Sequence, residues 1–247
     1  MTLADPKLIQ PYERLAFYYD ELMDYIDYID WTDLIVEGLK DLIPGKNILD
    51  VSCGTGTMCY HLSALGYEVS GVDSSLKMVE LAKSKYSNLR FSVGDMRNIQ
   101  LTNLTFDAIL NVHDGLNYLH NLDDILAFLT NSKSMLSQDG VLVFDVATPR
   151  LCRQHFNEFI EIHASEENVW ERHTHYDARK KLVQSDFIFL DADGHATEKE
   201  THLQIAYNLK EVNSFLELSP FKTWDIFDEE TLEIADENTE RLIIFAQ

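Results

Sequence analysis

Apolar and polar positions repeat along this chain with two periods, and the changes of period mark out the elements. "YERLAFYYDELMDYI" (12–26) places apolar and aromatic residues at helical spacing, and "TDLIVEGLKDLI" (32–43) does so again after Trp31, so the N-terminal segment is predicted to be helical. Pro44 and Gly45 break that pattern. Strands and helices then alternate. Ile48–Val51 is a short apolar strand, and a helix is predicted from Thr55 to Leu65, stopped by Gly66 as a helix C′ residue. "YEVSGVD" (67–73) is a second strand, and Ser74 or Ser75 is placed to cap the helix "LKMVELAKSK" (76–85). "LRFSVGD" (89–95) and "FDAILNV" (106–112) are the third and fourth strands, and Asp123–Leu136 is a helix. Asp139 and Gly140 are expected to turn into "VLVFDVAT" (141–148), a fifth strand that Pro149 ends.

Alternation of this kind implies a parallel sheet with right-handed crossovers. The period changes after Leu151. "NVWERHTHYD" (168–177), "KLVQSDFIFLD" (181–191) and "ATEKETHLQIAY" (196–207) are strand-like, with Asp193-Gly194 a hairpin signal, and predict a small antiparallel insert. A helix (208–218) and two strands (221–227 and 240–246) would complete the sheet, with 228–240 a loop or short acidic helix. The expected fold is α/β: a doubly wound, seven-stranded, mostly parallel sheet with an antiparallel β insert after strand five. Residues 1–150 would hold an N-terminal helical cover and a cofactor-binding core, 151–208 an acceptor-side lid, and 209–247 the end of the core sheet.

Composition narrows the function. The 247 residues carry a net charge of −22, and no basic cluster exceeds "ARKK" (178–181). A nucleic-acid surface needs clustered Lys and Arg to displace counterions, so no nucleic-acid partner is expected. Two acidic stretches, 20–33 and 225–240, read as solvated faces. No apolar run nears the ~18 residues of a membrane helix. "MTLADPKLIQ" (1–10) lacks a basic region followed by an apolar one, so no secretion signal and no membrane partner are expected. Three cysteines in a chain of this length fit reduced thiols in a cytoplasm.

Ligands of an open parallel sheet bind beyond the carboxyl ends of its strands. Acids stand at those ends: Asp50 before Gly54 and Gly56, then Asp73, Asp95, Asp145, and Asn111 followed by His113 and Asp114. Such a crevice would repel a pyrophosphate with about two negative charges. It suits S-adenosylmethionine, which brings a sulfonium and an ammonium. The dinucleotide fingerprint also needs a third glycine where Cys59 stands, and no Gly-Lys-Ser/Thr follows to make a P-loop. Asp73 follows the first glycine at about the ~20 residues at which an acid meets a ribose, and its two oxygens can accept from both hydroxyls. Gly54 and Gly56 let the backbone approach a ligand, and Asp95 and Met96 are candidates for the adenine.

These stretches, in order, resemble the class I S-adenosylmethionine-dependent methyltransferases. "ILDVSCGTG" looks like their first motif, "GVDSSLKMVELAK" the second, "VGDMRNI" the third, "FDAILNVHDGLNYL" the fourth and "DGVLVFDVATP" the fifth. "YYDELM", Trp31 and "DGLNYL" are similar to a bacterial group with a helical N-terminal cover and an antiparallel insert, acting on small molecules. The family usually has Gly where this chain has Ser52. The resemblance implies cofactor contacts at Asp50, Ser52, Gly54, Gly56, Asp73, Ser74, Asp95, Met96 and Asn111, with Tyr19 closing over the methionine end, and Tyr12 and Tyr18 as rivals for that place. It implies methyl transfer to N or O of a small-molecule acceptor, with S-adenosylmethionine as cofactor. His113 and Asp114 are the candidates for a catalytic base, and Asn117 and Tyr118 for the acceptor wall. An RNA or protein acceptor, or a module that binds the cofactor without turnover, is the alternative. His173, His175, His195 and His202 read as a polar face of the insert, and no metal is expected.

Overall fold

The structure is a computed structural model that describes residues 5–101, 104–164 and 169–247. A short strand β1 (Lys7–Ile9) opens it, followed by a 3-10 turn (Leu15–Tyr18), a single helical turn α1 (Tyr19–Leu22) and helix α2 (Tyr28–Leu39). Strand and helix then alternate: β2 (Asn47–Val51), α3 (Thr57–Ala64), β3 (Glu68–Asp73), α4 (Leu76–Lys85), β4 (Arg90–Val93), β5 (Phe106–Asn111), α5 (Leu122–Met135), β6 (Leu136–Ala147) and α6 (Pro149–His155). Four strands follow, β7 (Phe159–Ala164), β8 (Val169–Asp177), β9 (Leu182–Leu190) and β10 (Ala196–Ile205), then α7 (Leu209–Glu217), β11 (Trp224–Asp228) and β12 (Arg241–Ala246).

The core sheet has seven strands in the order β11-β12-β6-β5-β2-β3-β4. Its pairs from β6 to β4 are parallel, and β12 runs antiparallel between β6 and β11. Near-continuous apolar strands such as β2 and β5 are buried on both faces, as a sheet covered by helices on either side requires. One apolar cluster joins α5 and α7 to one face, and a second joins α2, α3 and α4 to the other. Strand order reverses between β2 and β5, which puts the switch point beside the loops after Val51 and Asn111. Among the described residues no helix is long and apolar enough to cross a membrane.

The second sheet, in the order β1-β10-β9-β8-β7, is antiparallel except that β1 lies parallel to β10. Gly194 supplies the left-handed residue of the β9–β10 hairpin. The predicted strand 168–177 begins one residue later in the described chain, since Asn168 lies outside the described residues.

The sequence expectations need correcting at four places. Residues 12–26 are not one helix. Their apolar positions face different bodies: Leu15, with Tyr12, Tyr18 and Leu22 beside it, packs on Trp170, Phe187 and Phe189 of the insert, whereas Ile26 packs on the core cluster of α2, α3 and α4. Tyr12 leaves the helical region altogether, at φ +61°, and α2 starts afresh behind Asp27, whose Oδ1 accepts from the amides of Ile29 and Asp30. Asp139-Gly140 is not a turn but an irregular part of β6, where the register against β5 shifts between Phe106 and Ala108. Pro149 does more than end that strand: it is the first residue of α6, capped by Thr148. β7 was not foreseen, because an edge strand with exposed Ile160 and Ile162 lacks a clean alternation. Residues 228–240 form a loop closed by a bridge from Phe227 to Ile234.

Asn117 clasps the two sheets. Its Nδ2 donates to the carbonyls of Ala147 (3.1 Å) and Ile205 (2.7 Å), and its Oδ1 accepts from the Ala147 amide at 3.1 Å. Substitution would take a partner from each of these backbone groups, and the Ala147 carbonyl alone keeps a second one, the Tyr207 amide at 3.3 Å. Asn117→Leu is expected to lower the unfolding free energy by about 3 kcal/mol in urea denaturation; an unchanged midpoint would contradict the clasp.

Candidate active site

The loop after β2 cannot be extended or helical, because Ser52 (φ +68°), Gly54 (φ +53°) and Gly56 (φ +84°) all occupy the left-handed region. The amides of Ser52 and Cys53 both donate to the carbonyl of Val72, which holds the turn against β3. The two glycines serve different ends. A Cβ on Gly54 would come near only the Tyr19 ring, at 3.5 Å, so this backbone lies open to the space above the sheet. A Cβ on Gly56 would stand 2.7 Å from the Phe91 ring and 3.2 Å from Ala82. Gly56 therefore makes room for packing below the loop and does not line the cavity, contrary to the expectation for it.

Asp73 closes β3 and is 8% exposed. Its Oδ2 accepts from the Gly54 amide (2.9 Å) and its Oδ1 from the Ser75 amide (2.8 Å), so each oxygen keeps a lone pair for a ligand. Burial raises its pKa, and the two amides oppose that. Asp50 is more deeply placed. Burial pushes its carboxyl up to about 7; the Cys59 thiol, donating at 3.2 Å, opposes this and the charge of Asp73 adds to it.

These residues line a cavity of about 660 Å³ over the switch point. Its floor includes Asp50, Ser52, Gly54, Asp73, Ser74 and Met96. Its roof is the N-terminal segment, with Gln10, Pro11, Tyr12, Glu13 and Tyr19; His113, Gly115 and Tyr118 stand at one end. Asp20 pins this roof to the core, accepting from Thr55 Oγ1 at 2.5 Å and from Lys85 Nζ at 2.7 Å. A second anchor is the buried carboxylate of Glu200 on β10, which accepts the amides of Tyr12 (2.8 Å), Arg14 (2.6 Å) and Leu15 (2.9 Å).

Several expected site residues stand elsewhere. Asp95 does not line the cavity: Arg97, two residues on, takes both its oxygens at 2.5–3.1 Å and lowers its pKa. Asn111 lies wholly buried behind the loop, its Nδ2 on the Val51 carbonyl (3.1 Å) and Ser52 Oγ (2.9 Å). It braces Ser52 from behind, and Gly115 is needed because a Cβ there would meet Asn111 Nδ2 at 2.4 Å.

His113 and Asp114 follow with φ of +63° and +67°, two left-handed residues in succession. His113 lines the cavity with its ring 4.6 Å from Trp31 and 5.1 Å from Tyr28. Burial, helped by Arg241, pushes it down to about 4, so it is uncharged at neutral pH. Asp114 is turned away from the cavity, with its carboxylate on the guanidinium of Arg241, which also holds Asp145. The Asp114 amide donates to Asp145 Oδ1 at 3.1 Å, which fixes the strained turn.

The crevice is thus less acidic than the strand ends suggested. Asp50, Asp73 and Glu13 face it, while Asp95 is paired with Arg97, and Asp114 and Asp145 share Arg241, outside it. Arg241 went unnoticed in the sequence, though a signal was present. A lone Arg opening a last, antiparallel strand must stand at the carboxyl ends of its parallel neighbours, here opposite Ala147. Asn117 and Tyr118 divide their expected role, Tyr118 lining the cavity and Asn117 clasping the sheets. His202 is buried in the insert, whereas His173, His175 and His195 are at least partly exposed and sit beside Glu171, Glu158 and Asp191.

Residues 48–140 match the methyltransferase domain family. The chain is 29% identical over 241 residues to YqeM of Bacillus subtilis (strain 168), a protein named as a methyltransferase, with 96% of each chain covered. It superimposes on an S-adenosylmethionine-dependent methyltransferase from Clostridium acetobutylicum with a TM-score of 0.79 at 23% identity, covering 96% of this chain and 98% of that one. It also resembles CalS10 of Micromonospora echinaspora, an amino pentose methyltransferase solved with its cofactor, at a TM-score of 0.69 and 18% identity, over 93% and 95% of the two chains. The fold is that of the class I S-adenosylmethionine-dependent methyltransferases, and the domain match and the named relatives support a methyltransferase of that kind. S-adenosylmethionine is accordingly the cofactor of this methyltransferase.

The buried acid of the methyltransferase core makes stability depend on pH. Asp50 has a folded pKa of about 7 against an ordinary value of 3.8, so between these values the folded state keeps a proton that the unfolded chain has released. Its contribution to stability is therefore full below pH 4 and is lost as pH rises to 7, by at most about 4 kcal/mol. Asp50→Asn keeps the neutral form at every pH. Its melting temperature relative to wild type is expected to climb between pH 5 and pH 8; a difference that does not change with pH would contradict the assignment.

Proposed function

We propose that the enzyme transfers a methyl group to nitrogen or oxygen of a small-molecule acceptor, by in-line displacement within the cavity under the N-terminal roof. The observation that carries this reading is that roof. Gln10–Glu13 and Tyr19 cover the space above Gly54 and Asp73, the side on which a polymer substrate would have to lie. A cavity of about 660 Å³ is in the range that encloses a small ligand. The net charge of −22 also disfavours RNA, and the structural neighbour CalS10 is named for an amino pentose substrate.

The residues fit the cofactor in sign and in shape. Asp50, Asp73 and Glu13 supply negative charge where a sulfonium and an ammonium must be held, and Gly54 offers backbone with nothing but Tyr19 near its Cβ position. In this reading Asp73 takes the ribose diol on its two free lone pairs, Ser52 and Ser74 line the same wall, Met96 lies against the adenine, and Tyr19 covers the methionine end. The cofactor, when bound, supplies a methyl already activated on a cationic sulfur. What remains for the protein is to bring the acceptor's lone pair in line and exclude water, and proximity alone can lower such a barrier by several kcal/mol. His113, held neutral, shapes the wall and is too weak a base at about 4 to take a proton from an amine or alcohol. The insert and the roof together form the acceptor side.

Two outcomes test this. Asp73→Ala is expected to weaken binding of S-adenosylhomocysteine by about 10- to 100-fold in calorimetry, since two charge-assisted hydrogen bonds are lost; wild-type affinity would remove Asp73 from the ribose. Cofactor affinity is expected to rise with pH through about 7 and then level off, because a bound cation favours the ionised form of Asp50. Calorimetry in buffers of different ionisation enthalpy would then register proton release at pH 6.5, and no release there would contradict the role of Asp50.

A further inference from the structure

Outside the core, four polar groups from three parts of the chain form one hydrogen-bonded line that ends in the cavity. Glu200 and His202 stand two residues apart on β10, and so on one face of it. Their exposures are 0% and 3%. His202 Nε2 lies 3.1 Å from Glu200 Oε2, its Nδ1 lies 2.9 Å from the hydroxyl of Tyr118, and that hydroxyl lies 2.6 Å from the hydroxyl of Tyr12. Tyr12 and Tyr118 line the cavity. The groups facing His202 are Glu200 from its own strand, Tyr118 from a 3-10 turn after β5 (Leu116–Tyr118), Tyr12 from the roof and Phe187 from β9.

The direction of every hydrogen bond in this line follows from its buried end. A carboxylate can only accept, so Nε2 of His202 carries a proton, and in the neutral imidazole Nδ1 is then bare. Nδ1 then accepts from Tyr118, whose oxygen in turn accepts from Tyr12. The Tyr12 oxygen is left with a lone pair and no proton to give.

We propose that this line is a proton relay for methyl transfer, with Tyr12 the catalytic residue that receives the acceptor's proton and Tyr118, His202 and Glu200 conducting it away. The proposal rests on the reading that a small protic acceptor, a hydroxyl or an amine, meets the cofactor in this cavity. As the acceptor heteroatom bonds to the methyl carbon, the electron pair of the broken carbon–sulfur bond stays on sulfur. The acceptor's proton passes to Tyr12, the proton of Tyr12 to Tyr118, and that of Tyr118 to Nδ1 of His202. The result is an imidazolium stabilised by the Glu200 carboxylate, and its proton returns along the same line to water in the cavity once the product has left. Burial raises the pKa of both phenols, so both work as neutral hydroxyls that take one proton while giving another. A relay of this kind also explains why a chain with a weak base at His113 and an arginine on Asp114 needs neither as the base.

The test uses the whole protein and two probes, S-adenosylhomocysteine and sinefungin, which carries an amino group where the cofactor carries its methyl. Nitrogen NMR of the wild-type imidazoles is expected to find the His202 proton on Nε2. Wild type is expected to prefer sinefungin, whose amine donates to Tyr12. Tyr12→Phe and Tyr118→Phe are each expected to lower that preference about tenfold while affinity for S-adenosylhomocysteine stays within about threefold. A proton on Nδ1 would reverse the line and overturn the relay, as would an unchanged preference in both variants. Wild type that takes up neither probe would overturn the reading of the cavity itself, and the relay with it.

Discussion

One buried carboxylate joins the parts of this molecule that strand pairing alone would leave loosely connected. Glu200 sits on the insert, 188 residues from Tyr12, and accepts from the roof amides of Tyr12, Arg14 and Leu15 as well as from the imidazole of His202. The roof has left-handed backbone at Tyr12 and its 3-10 turn starts only at Leu15, so the amides of Tyr12, Arg14 and Leu15 have no helical carbonyl to meet. Without Glu200 they would be buried unpaired, at about 1–3 kcal/mol each. The carboxylate is equally dependent on them, since an ion so deeply enclosed needs all its oxygens occupied. β1 pairing with β10 and Leu15 packing under Trp170 follow from this one anchoring point.

A second constraint acts at the other face of the cavity. Strands of a parallel sheet must turn sharply at their carboxyl ends to enter the next helix, and this chain does so with Ser52, His113 and Asp114 as well as with glycines. Non-glycine residues hold such backbone only where their surroundings insist. Asn111 braces Ser52, and Asp145 with Arg241 braces Asp114. Two side chains that read as cofactor- or substrate-facing therefore hold the turns in place, and the acids left in the cavity are those whose partners are amides and a thiol rather than arginines.

This division explains what was legible in the chain and what was not. α4 runs over Leu76–Lys85 as its periodicity predicts, because its cap Ser75, its apolar face and its basic last turn all lie within one short stretch of chain. Asp73 and Gly54 were legible for the same reason, being bound to neighbours along one strand–loop–helix unit. Asp95, Asp114 and Asp145 were placed at the right strand ends, but the arginines that pair with them come from two residues away for the first and from the last strand for the other two. The line from Glu200 to Tyr12 was invisible, since it joins β10, the turn after β5 and the roof, and His202 stood among histidines that line an outer face. Local signals foretold the strand–loop side of the cavity, and long-range pairing built its roof.

The claim that the roof and the core enclose one cofactor-binding space is tested most directly by amide hydrogen exchange with and without S-adenosylhomocysteine. Bound ligand is expected to slow exchange in two separate segments at once, the loop and helix start at 52–57 with 74–76, and the roof amides of Tyr12, Arg14 and Leu15. Slowing confined to the core loop, with the roof exchanging as in the free protein, would contradict it.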